Sequence, residues 1–422
     1  MRANIRRNSQ TRVVVVGGGL GGLQLVQALK KTNFQVVLID KNNYNQFPPL
    51  IYQVASAGLE PSNISFPFRR LFQGWNNFFF RLGKVLAVDA NEKAVRTTFG
   101  TVHYKYLVLA AGATTNFFGN EHVEQNTLPM KTVTDAMTLR NTIFENLEKA
   151  ETEDNAERRQ ALMTIVIVGG GPSGVEIAGA MAEMKKTVIP RDYHDLDVNK
   201  MNIYLVNSGD RLLKSMSLES SVQAEKDLES MGVKVMLNNR VTDYKDKTII
   251  LQNGNTIPAE TVVWVSGIRA NSIEGLPQAS IGHAGRILTD SKNMVKGMDH
   301  VFAIGDQSLV EGDKEYPLGH PQLAQVAIQQ ANNVARNIIH MEKGEPLETF
   351  SYKNLGVMAT IGRKKAVAEI GGKNFHGLFA WLLWLVVHLR SILGVKNKTM
   401  VLLNWIWNYL NYKQSLRLIL KR

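Results

Sequence analysis

Two glycine clusters have the spacing that lets a polypeptide backbone bind a pyrophosphate. Both read G-x-G-x-x-G, with glycines at Gly17, Gly19 and Gly22 in the first and at Gly169, Gly171 and Gly174 in the second. The first glycine permits a tight turn, the second lets the backbone approach the pyrophosphate, and the third lets a helix pack closely on a strand. Free N–H groups at the start of that helix then favour an anion. Two such clusters on one chain predict two bound dinucleotides, with electrons passing from one to the other.

The sequence around each cluster contains the elements that must position it. A β-branched run precedes the glycines at 13–16 and again at 165–168, and a helix-like stretch follows each cluster. Residues 135–159 are charged and helix-prone, which predicts a connection between the two halves. Because the layout repeats, it predicts an α/β fold with two duplicated, doubly wound domains.

Further strands end in residues that could contact a cofactor. The second strand of each half ends at Asp40 and at Asn207, and a third ends in small residues at Ala111 and Gly112 and at Gly267. An acid at the place of Asp40 can accept hydrogen bonds from ribose hydroxyls, although a solvated acid at a strand end is the simpler alternative. Small residues at the carboxyl edge of a parallel sheet leave room for a ligand.

The composition excludes several kinds of redox centre. The chain has 422 residues, of which 44% are hydrophobic, so it can form ordinary globular cores. It has no cysteine, which excludes a dithiol centre, structural disulfides and thiolate-bound iron–sulfur or zinc. Its nine histidines have neither H-x-H nor H-x-x-x-H spacing, so we expect no metal site.

Charge and the N-terminal sequence bear on where the protein acts. The net charge is +12, but the basic residues of the C-terminal region alternate with large apolar blocks. That mixture is typical of a lipid headgroup boundary and argues against nucleic-acid binding. Residues 1–7 lack the apolar core of a signal peptide, so we expect the cofactor-binding body to remain in the cytoplasm or its equivalent.

Several longer segments resemble one enzyme family over nearly the whole chain. The glycine clusters together with FAIGD at 302–306 resemble the two-dinucleotide-binding flavoprotein superfamily. More narrowly, FPPLIYQVA at 47–55, GGGPSGVEIAGAMA at 169–182, AQVAIQQ at 324–330 and the C-terminal region resemble type II NADH:quinone oxidoreductases. The resemblance implies non-covalent FAD in the first domain, NADH in the second and a membrane quinone as the electron acceptor.

The resemblance also implies domain boundaries and site residues. The FAD-binding domain would be discontinuous, at 1–125 and 281–376, with the nucleotide-binding domain at 126–280 and a membrane-anchoring region at 377–422. The catalytic candidates are Glu176, Gln325 and Gln329. The cofactor-binding candidates are Gly17, Gly19, Leu20, Gly21, Gly22, Asp40, Lys41, Gln53, Ala111, Gly112, Gly169, Gly171, Gly174, Asn207, Gly267, Asp306 and Ala324.

Four of these candidates have simpler alternative roles. Asp306 follows a glycine and could belong to an ordinary turn, and Glu176 could be an acid of the first helical turn that complements the helix dipole. Gln325 and Gln329 lie four residues apart, so they could share a helix face that orients a quinone carbonyl, or they could bridge backbone groups of a core helix. Asn207 stands where a carboxylate would repel a 2′-phosphate, which leaves NADPH possible as a second substrate.

The C-terminal region predicts a membrane-binding device. From residue 377 onward it contains seven Lys and Arg, neither Asp nor Glu, and four of the six tryptophans. Its apolar stretch at 378–393 is too short to span a bilayer. A second stretch, at 401–420, has a narrow polar stripe at Asn404, Asn408, Asn411 and Ser415, as in helices that lie in the membrane interface. A deeper helical hairpin and a homodimer surface are the alternatives.

We therefore expect a peripheral enzyme on the cytoplasmic face of the membrane that transfers hydride from NADH to FAD and two electrons onward to quinone. Proton pumping is not expected, because the sequence contains no bundle of membrane spans. Two other functions remain open: a soluble NAD(P)H-dependent flavoprotein reductase of a small redox protein, and a catalytically silent redox sensor on the membrane. The soluble reductase has no need for a basic, tryptophan-rich C-terminal region, whereas the sensor would be recognised by bound FAD without turnover of any quinone.

Overall fold

The computed structural model describes residues 3, 5, 6, 9–411 and 417–419, without the side chains of residues 409–411. Part of the N-terminal segment at 1–7, the Asn411 side chain and Ser415 therefore lie outside the described residues. By packing, the chain forms two compact units. The first unit comprises Met1–Gln46, Phe66–Thr114 and Ile268–Asn354, and the second comprises Phe47–Ser65, Thr115–Gly267 and Leu355–Arg422. The boundaries at 126, 281 and 377 were predicted for regions that bind FAD, a nucleotide and the membrane, and they remain predictions.

The described chain contains many short strands, together with helices that range from one turn to twenty residues. The strands are β1 (Arg12–Val16), β2 (Gln35–Asp40), β3 (Tyr44–Gln46), β4 (Ser65–Pro67), β5 (Phe78–Leu82), β6 (Val85–Asp89), β7 (Ala94–Thr97), β8 (Gly100–His103), β9 (Tyr106–Leu109), β10 (Ala113–Thr115), β11 (Leu128–Pro129), β12 (Thr164–Val168), β13 (Asn202–Val206), β14 (Lys234–Met236), β15 (Val241–Lys245), β16 (Thr248–Leu251), β17 (Thr256–Pro258), β18 (Thr261–Trp264), β19 (Ile268–Ala270), β20 (Ile287–Thr289), β21 (Val301–Ala303), β22 (Ser308–Val310), β23 (Val357–Gly362), β24 (Lys365–Ile370) and β25 (Lys373–His376). The helices are α1 (Leu20–Ala28), α2 (Ile51–Ala55), α3 (Phe68–Leu71), α4 (Glu121–Asn126), α5 (Val133–Thr152), α6 (Ala156–Leu162), α7 (Pro172–Thr187), α8 (Ile189–Asp192), α9 (Leu218–Ser230), α10 (Ala324–Lys343), α11 (Gly377–Ser391) and α12 (Val395–Asn411).

The first unit contains a five-stranded parallel sheet in the order β21-β9-β1-β2-β5. Its central strand β1 is buried from Val13 to Val16, as expected of a parallel strand covered on both faces. Strand β21 ends at Ala303, three residues before Asp306. The chain turns at Gly305, whose φ of +70° is left-handed, and continues as a 3₁₀ turn.

The second unit repeats this design with the parallel order β11-β18-β12-β13-β14. In both sheets the strand before the glycine cluster lies in the centre, and its helix starts at the carboxyl edge. The predicted α/β architecture with two Rossmann-like sheets is therefore confirmed.

The C-terminal region of the second unit begins with an antiparallel sheet and continues into two helices. Strands β23, β24 and β25 pair in that order and lead into α11 and α12. Helix α7 approaches β23 so closely that a Cβ atom on Gly179 would lie 1.5 Å from the Ile361 carbonyl oxygen, which requires glycine at this position. Among the described residues, no helix is both long and apolar enough to cross a bilayer.

Candidate functional site

The first glycine cluster forms a turn that only small residues can make. A Cβ on Gly17, whose φ is +97°, would lie 2.3 Å from the Ala110 carbonyl oxygen, and a Cβ on Gly22 would lie 1.9 Å from that of Gly17. At Gly19, by contrast, a Cβ would meet no atom within 4 Å. The glycines therefore pack helix α1 onto β1 and leave open space where a pyrophosphate would approach the start of the helix.

Asp40 supports this loop from the end of β2. Its carboxylate accepts hydrogen bonds from the backbone N–H of Gly18 at 2.6 Å and of Asn42 at 2.7 Å. Burial raises the pKa of Asp40, while these two hydrogen bonds and the charge of Lys41 oppose that shift. The carboxyl group therefore fixes the backbone of the glycine loop.

A polar cluster lies at the carboxyl edge of the first sheet, around the predicted residues Ala111 and Gly112. The Ala111 N–H donates to Gln307 Oε1 at 2.9 Å, and Asn271 Nδ2 donates to the Ala111 carbonyl at 2.7 Å. Gln307 and Asn271 also bond to each other, through Gln307 Nε2 and the Asn271 carbonyl at 2.7 Å. At Gly112, with φ +67°, a Cβ would meet open space. Sequence reasoning missed Asn271 and Gln307, because single amides in loops have no pattern.

The turn that carries Asp306 is also held by amide side chains. Gln330 Oε1 accepts a hydrogen bond from the Gly305 N–H at 2.7 Å, and Gln322 Nε2 donates to the Asp306 carbonyl at 2.8 Å. Burial lowers the pKa of the Arg286 guanidinium, and the negative charge of Asp306 opposes that shift. The backbone around Asp306 is thus held by side-chain hydrogen bonds with Gln330 and Gln322, which an ordinary turn does not require.

Helix α10 starts at the exposed residue Ala324 and carries the two predicted glutamines, which differ in their contacts. Gln329 bridges the backbone of Lys353: its Nε2 donates to the carbonyl at 2.8 Å and its Oε1 accepts from the N–H at 2.9 Å. The oxygen and the nitrogen of its amide therefore both bond to backbone groups, as in the alternative that this glutamine bridges backbone. Gln325 is half-buried in the first turn of the helix.

The second glycine cluster repeats the geometry of the first. A Cβ on Gly169, with φ +121°, would lie 2.7 Å from the Val265 carbonyl oxygen, and a Cβ on Gly174 would lie 1.8 Å from that of Gly169. Gly171 again faces open space. Gly19 and Gly171 are the N-cap residues of α1 and α7, and neither has a side chain that could accept from the first N–H groups of its helix. These N–H groups therefore point toward the site that an anion would occupy.

Asn207 takes the place that Asp40 has in the first half. Its Oδ1 accepts a hydrogen bond from the Gly170 N–H at 3.1 Å, while Nδ2 donates to the carbonyls of Gly209 at 3.3 Å and Arg211 at 3.0 Å. The amide thereby closes the loop that follows β13. Gly267 follows β18, which pairs with β12 in the same sheet, and its carbonyl accepts a hydrogen bond from the Asn116 N–H at 3.0 Å.

Glu176 is the fifth residue of α7, so it lies beyond the first helical turn, and the helix-dipole alternative is wrong. Its carboxyl group accepts a hydrogen bond from the backbone N–H of Thr360. Burial raises the pKa of Glu176 to about 8, and the hydrogen bond only partly opposes this. At neutral pH the side chain therefore holds a proton, which suits a group that supplies one.

Gln53 and its neighbour Tyr52 lie in the same unit as Glu176. Gln53 Nε2 donates to the Tyr52 hydroxyl at 2.9 Å, and Gln53 Oε1 accepts from the Trp405 Nε1–H at 2.8 Å. Burial raises the pKa of Tyr52 well above its usual range, and the charge of Glu176 adds to the shift. Sequence reasoning included Gln53 but missed Tyr52, Thr360 and Trp405, because their proximity depends on contacts between distant segments.

These loops fit two dinucleotides, and the described residues contain no cluster of ligands suited to a metal ion. Such a fold and site define a pyridine-nucleotide oxidoreductase. Residues 11–331 match the family Pyridine nucleotide-disulphide oxidoreductase, and residues 354–412 match the NDH2 C-terminal domain.

Comparisons with individual proteins narrow the class. The chain is 35% identical to type II NADH:quinone oxidoreductase NdhA of Mycobacterium tuberculosis, over 93% of this chain and 86% of the relative. It is 33% identical to Ndh of the same organism, over 96% and 89%. The fold matches the structure of NDH2 from Plasmodium falciparum in complex with NADH, with a TM-score of 0.88 at 20% identity, over 98% of this chain and all of that one.

The chain belongs to the type II NADH:quinone oxidoreductase family and is an oxidoreductase. The resemblance and the enzymatic function inferred from the sequence are thus confirmed. The relationship favours them over a soluble reductase of a small redox protein and over a catalytically silent sensor.

Replacing Glu176 by Gln should change how stability depends on pH. The pKa of Glu176 is about 8 in the folded protein, whereas an unfolded glutamate titrates at about 4.3. The folded state retains the proton between these values, so stability is lost as pH rises through that window. Between pH 4.5 and 8.5, the free energy of unfolding of the parent should fall by about 2–4 kcal/mol relative to Glu176→Gln.

Urea unfolding at each pH measures this difference. The matched control is Glu157→Gln, which changes an exposed acid of α6 and should follow the parent at every pH. Parallel stability curves for Glu176→Gln and the parent would contradict the assignment.

Proposed function

We propose that the protein oxidises NADH and reduces a membrane quinone through a non-covalently bound FAD. The observation that carries this proposal is the pair of open glycine loops in a chain of this family. FAD, when bound, accepts a hydride and passes two electrons onward. The protein binds and orients the two dinucleotides, excludes water and supplies protons.

The residues of the first unit suit the FAD. Backbone N–H groups at the start of α1 would hold its pyrophosphate, with Gly19 leaving the necessary space. Asp40 would accept hydrogen bonds from the adenosine ribose, and Asp306 from hydroxyls of the ribityl chain. The polar cluster around Ala111 and Gly112 is suited to the remainder of the cofactor. Because the chain has no cysteine, a thioether link to flavin is excluded.

The second loop suits NADH, which must enter and leave in every turnover. Pro172 occupies the first position of α7 and has no N–H group, so this loop offers a phosphate one donor fewer than the first loop. Asn207 carries no negative charge, and Arg211 follows in the same loop, so NADPH is an admissible second substrate.

Glu176 would supply a proton during quinone reduction. Forming a quinol requires two electrons and two protons, and a carboxyl group with a pKa near 8 is protonated at neutral pH. The half-buried Tyr52, whose pKa is raised well above its usual range, retains its own proton, so it would orient groups by hydrogen bonding and would not act as a base.

The proposal as a whole is tested on purified protein. The absorbance spectrum should contain flavin bands, and acid precipitation should release FAD into solution. The protein should oxidise NADH in the presence of a menaquinone or a ubiquinone analogue, and NADPH measured under the same conditions defines the coenzyme preference. Protein without flavin bands after gentle purification, or with flavin but without turnover of either quinone, would contradict the proposal.

Gln325 and Gln329 should respond differently to alanine substitution. If the Gln325 amide orients a quinone carbonyl, Gln325→Ala should slow quinone-dependent turnover about tenfold, the value of one hydrogen bond, and leave flavin reduction by NADH unchanged. Gln329→Ala removes the bridge to Lys353 and should lower stability by about 1–2 kcal/mol, with a smaller effect on turnover.

Stopped-flow mixing with NADH alone isolates flavin reduction, and steady-state assays report the whole reaction. Equal loss in both steps for Gln325→Ala would mean that this residue does not meet the quinone.

Helices α11 and α12 suit attachment to a lipid surface from the cytoplasmic side. Each has an exposed apolar stripe: Leu378, Phe379, Leu382, Val386 and Val387 on α11, and Leu402, Leu403, Ile406 and Trp407 on α12. Their opposite faces are packed, since Ala380, Trp384 and Val401 are buried. Basic residues without acidic neighbours would add attraction to anionic lipid. The alternative is that the same stripes form the contact surface of a homodimer.

Charges on these stripes should detach the protein without unfolding it. The variant Leu382→Glu/Val386→Glu/Leu403→Glu removes apolar surface that is already exposed and places acids against anionic headgroups. We expect most of the protein to move from the membrane pellet to the supernatant, with FAD still bound. The control is Leu318→Glu, at a residue that is 88% exposed in the first unit.

Flotation with liposomes measures attachment, and size-exclusion chromatography measures the oligomeric state. Loss of a dimer with unchanged membrane attachment would instead assign the stripes to subunit contact.

A further inference from the structure

A carboxylate of the C-terminal sheet lies at the start of helix α9, which follows the loop after β13. Glu369, on β24, accepts hydrogen bonds through Oε1 from the Ser217 backbone N–H at 2.7 Å and from the Ser220 hydroxyl at 2.7 Å. Ser217 is the N-cap residue of α9, and Ser220 lies in its first turn. These residues all belong to the second unit. A strand about 150 residues later in the chain therefore supplies an acid to this helix.

This acid takes up donors that an external anion would otherwise use. The start of a helix has free N–H groups and the positive end of the helix dipole, and both favour an anion. Ser217 provides the usual cap, since its hydroxyl oxygen accepts from the Ser220 N–H at 3.2 Å. Glu369 adds a full negative charge to the same turn and bonds to the Ser217 N–H and the Ser220 hydroxyl. The start of α9 is thus already neutralised from within the protein.

Arg211 lies beside the same helical turn and beside Asn207. Its Nη1 donates to the Ser221 hydroxyl oxygen at 3.4 Å, and its backbone carbonyl accepts from Asn207 Nδ2 at 3.0 Å. Ser221 directly follows Ser220, which bonds to Glu369. The guanidinium and the carboxylate are therefore held by adjacent residues of one turn, close to the strand end that carries Asn207.

Glu369 is charged at neutral pH although it is half-buried. Burial raises the pKa of Glu369, but the hydrogen bonds from Ser220 and Ser217 and the charge of Arg211 outweigh this effect and lower the pKa below its usual value. The carboxylate therefore contributes a lasting negative charge to the loop between β13 and α9.

A negative charge at this place bears on the choice between NADH and NADPH, which differ by one phosphate group on the 2′ oxygen of the adenosine ribose. In loops of this kind the ribose faces the residue at the end of the second strand, and a nearby arginine can accept the 2′-phosphate. Asn207 has no charge that would repel the phosphate, and Arg211 would attract it. The carboxylate of Glu369 opposes that attraction, because like charges in proximity disfavour the wrong partner.

We propose that Glu369 is a specificity-determining residue whose carboxylate opposes the binding of a 2′-phosphate beside Arg211. The C-terminal sheet thereby supplies the discrimination that Asn207 lacks, and NADPH, although admissible, binds more weakly than NADH. This inference rests on the proposed binding of NADH at the second glycine loop. It can be tested without hydride transfer or quinone.

The test compares the binding of NADP⁺ and NAD⁺ to the flavin-containing protein by calorimetry. Glu369→Gln keeps an oxygen that can accept from Ser217 and Ser220 and removes only the charge. Its affinity for NADP⁺ should rise roughly three- to tenfold at low ionic strength, while its affinity for NAD⁺ stays that of the parent. In about 0.5 M salt the gain should shrink, because counterions screen the charges.

Further variants separate the charge of Glu369 from its role as a helix cap. Glu369→Thr is a second neutral variant, since a β-branched residue suits β24 and water can replace the carboxylate at α9. Glu369→Asp keeps the charge and should retain the preference of the parent. Glu229→Gln, at an exposed acid in the last turn of α9, makes the same change in net charge. Asp210→Asn tests the exposed acid next to Arg211, and neither control should favour NADP⁺.

Four results would overturn the inference. They are an unchanged NADP⁺ affinity in both neutral variants, an equal loss of NADP⁺ and NAD⁺ binding in them, a gain in Glu369→Asp equal to that in Glu369→Gln, and an equal gain in either control. Turnover with quinone is measured separately. A selective gain for NADP⁺ without quinone turnover would reject the proposed function and leave this inference standing. Normal turnover with NADH and an unmoved ratio of the two affinities would reject this inference alone.

Discussion

The structure depends on one constraint, which occurs twice: a helix must start so close to a parallel strand that no side chain fits between them. At Gly22 and Gly174 a Cβ would lie within 2 Å of a carbonyl oxygen in the preceding turn. This contact exposes the N–H groups of the helix start at the carboxyl edge of the sheet, where an anion can meet them. The parallel sheets and their central strands are the framework that holds these two starts in place.

The glycine loops of the two halves have the same geometry, but a carboxylate supports the first loop and an amide supports the second. In each half, a side chain at the end of the second strand accepts a hydrogen bond from the middle glycine: Asp40 from Gly18, and Asn207 from Gly170. An acid suits a site that retains its dinucleotide through contacts with ribose hydroxyls. An amide that also binds two carbonyls of its own loop leaves that site without a negative charge. This difference suits the proposed arrangement of one resident cofactor and one exchanging substrate.

The sequence was sufficient for the central strands of the two parallel sheets and for their glycine loops, because those signals are local. β-Branched runs, glycine spacing and strand-end residues lie within a few tens of positions of one another, so Asp40 and Asn207 could be assigned to their loops. The role of Gln329 could not be assigned, since its bridge to Lys353 spans a loop without a pattern. Glu176 could be named, but its hydrogen bond from the backbone of Thr360 in β23, nearly 200 residues later in the chain, could not be foreseen. A contact with a distant strand leaves no mark in the local sequence.

Helix α7 packs against the C-terminal region, which is therefore an integral part of the second unit. Its first turn serves the second glycine loop, while one of its faces carries Glu176, Gly179 and Glu183 along β23. Gly179 allows the backbones to touch, and the two acids accept hydrogen bonds from the N–H groups of Thr360 and Arg363. Since β23 leads through its sheet into α11 and α12, helix α7, the half-buried Glu176 and the two C-terminal helices form one packed assembly within the second unit.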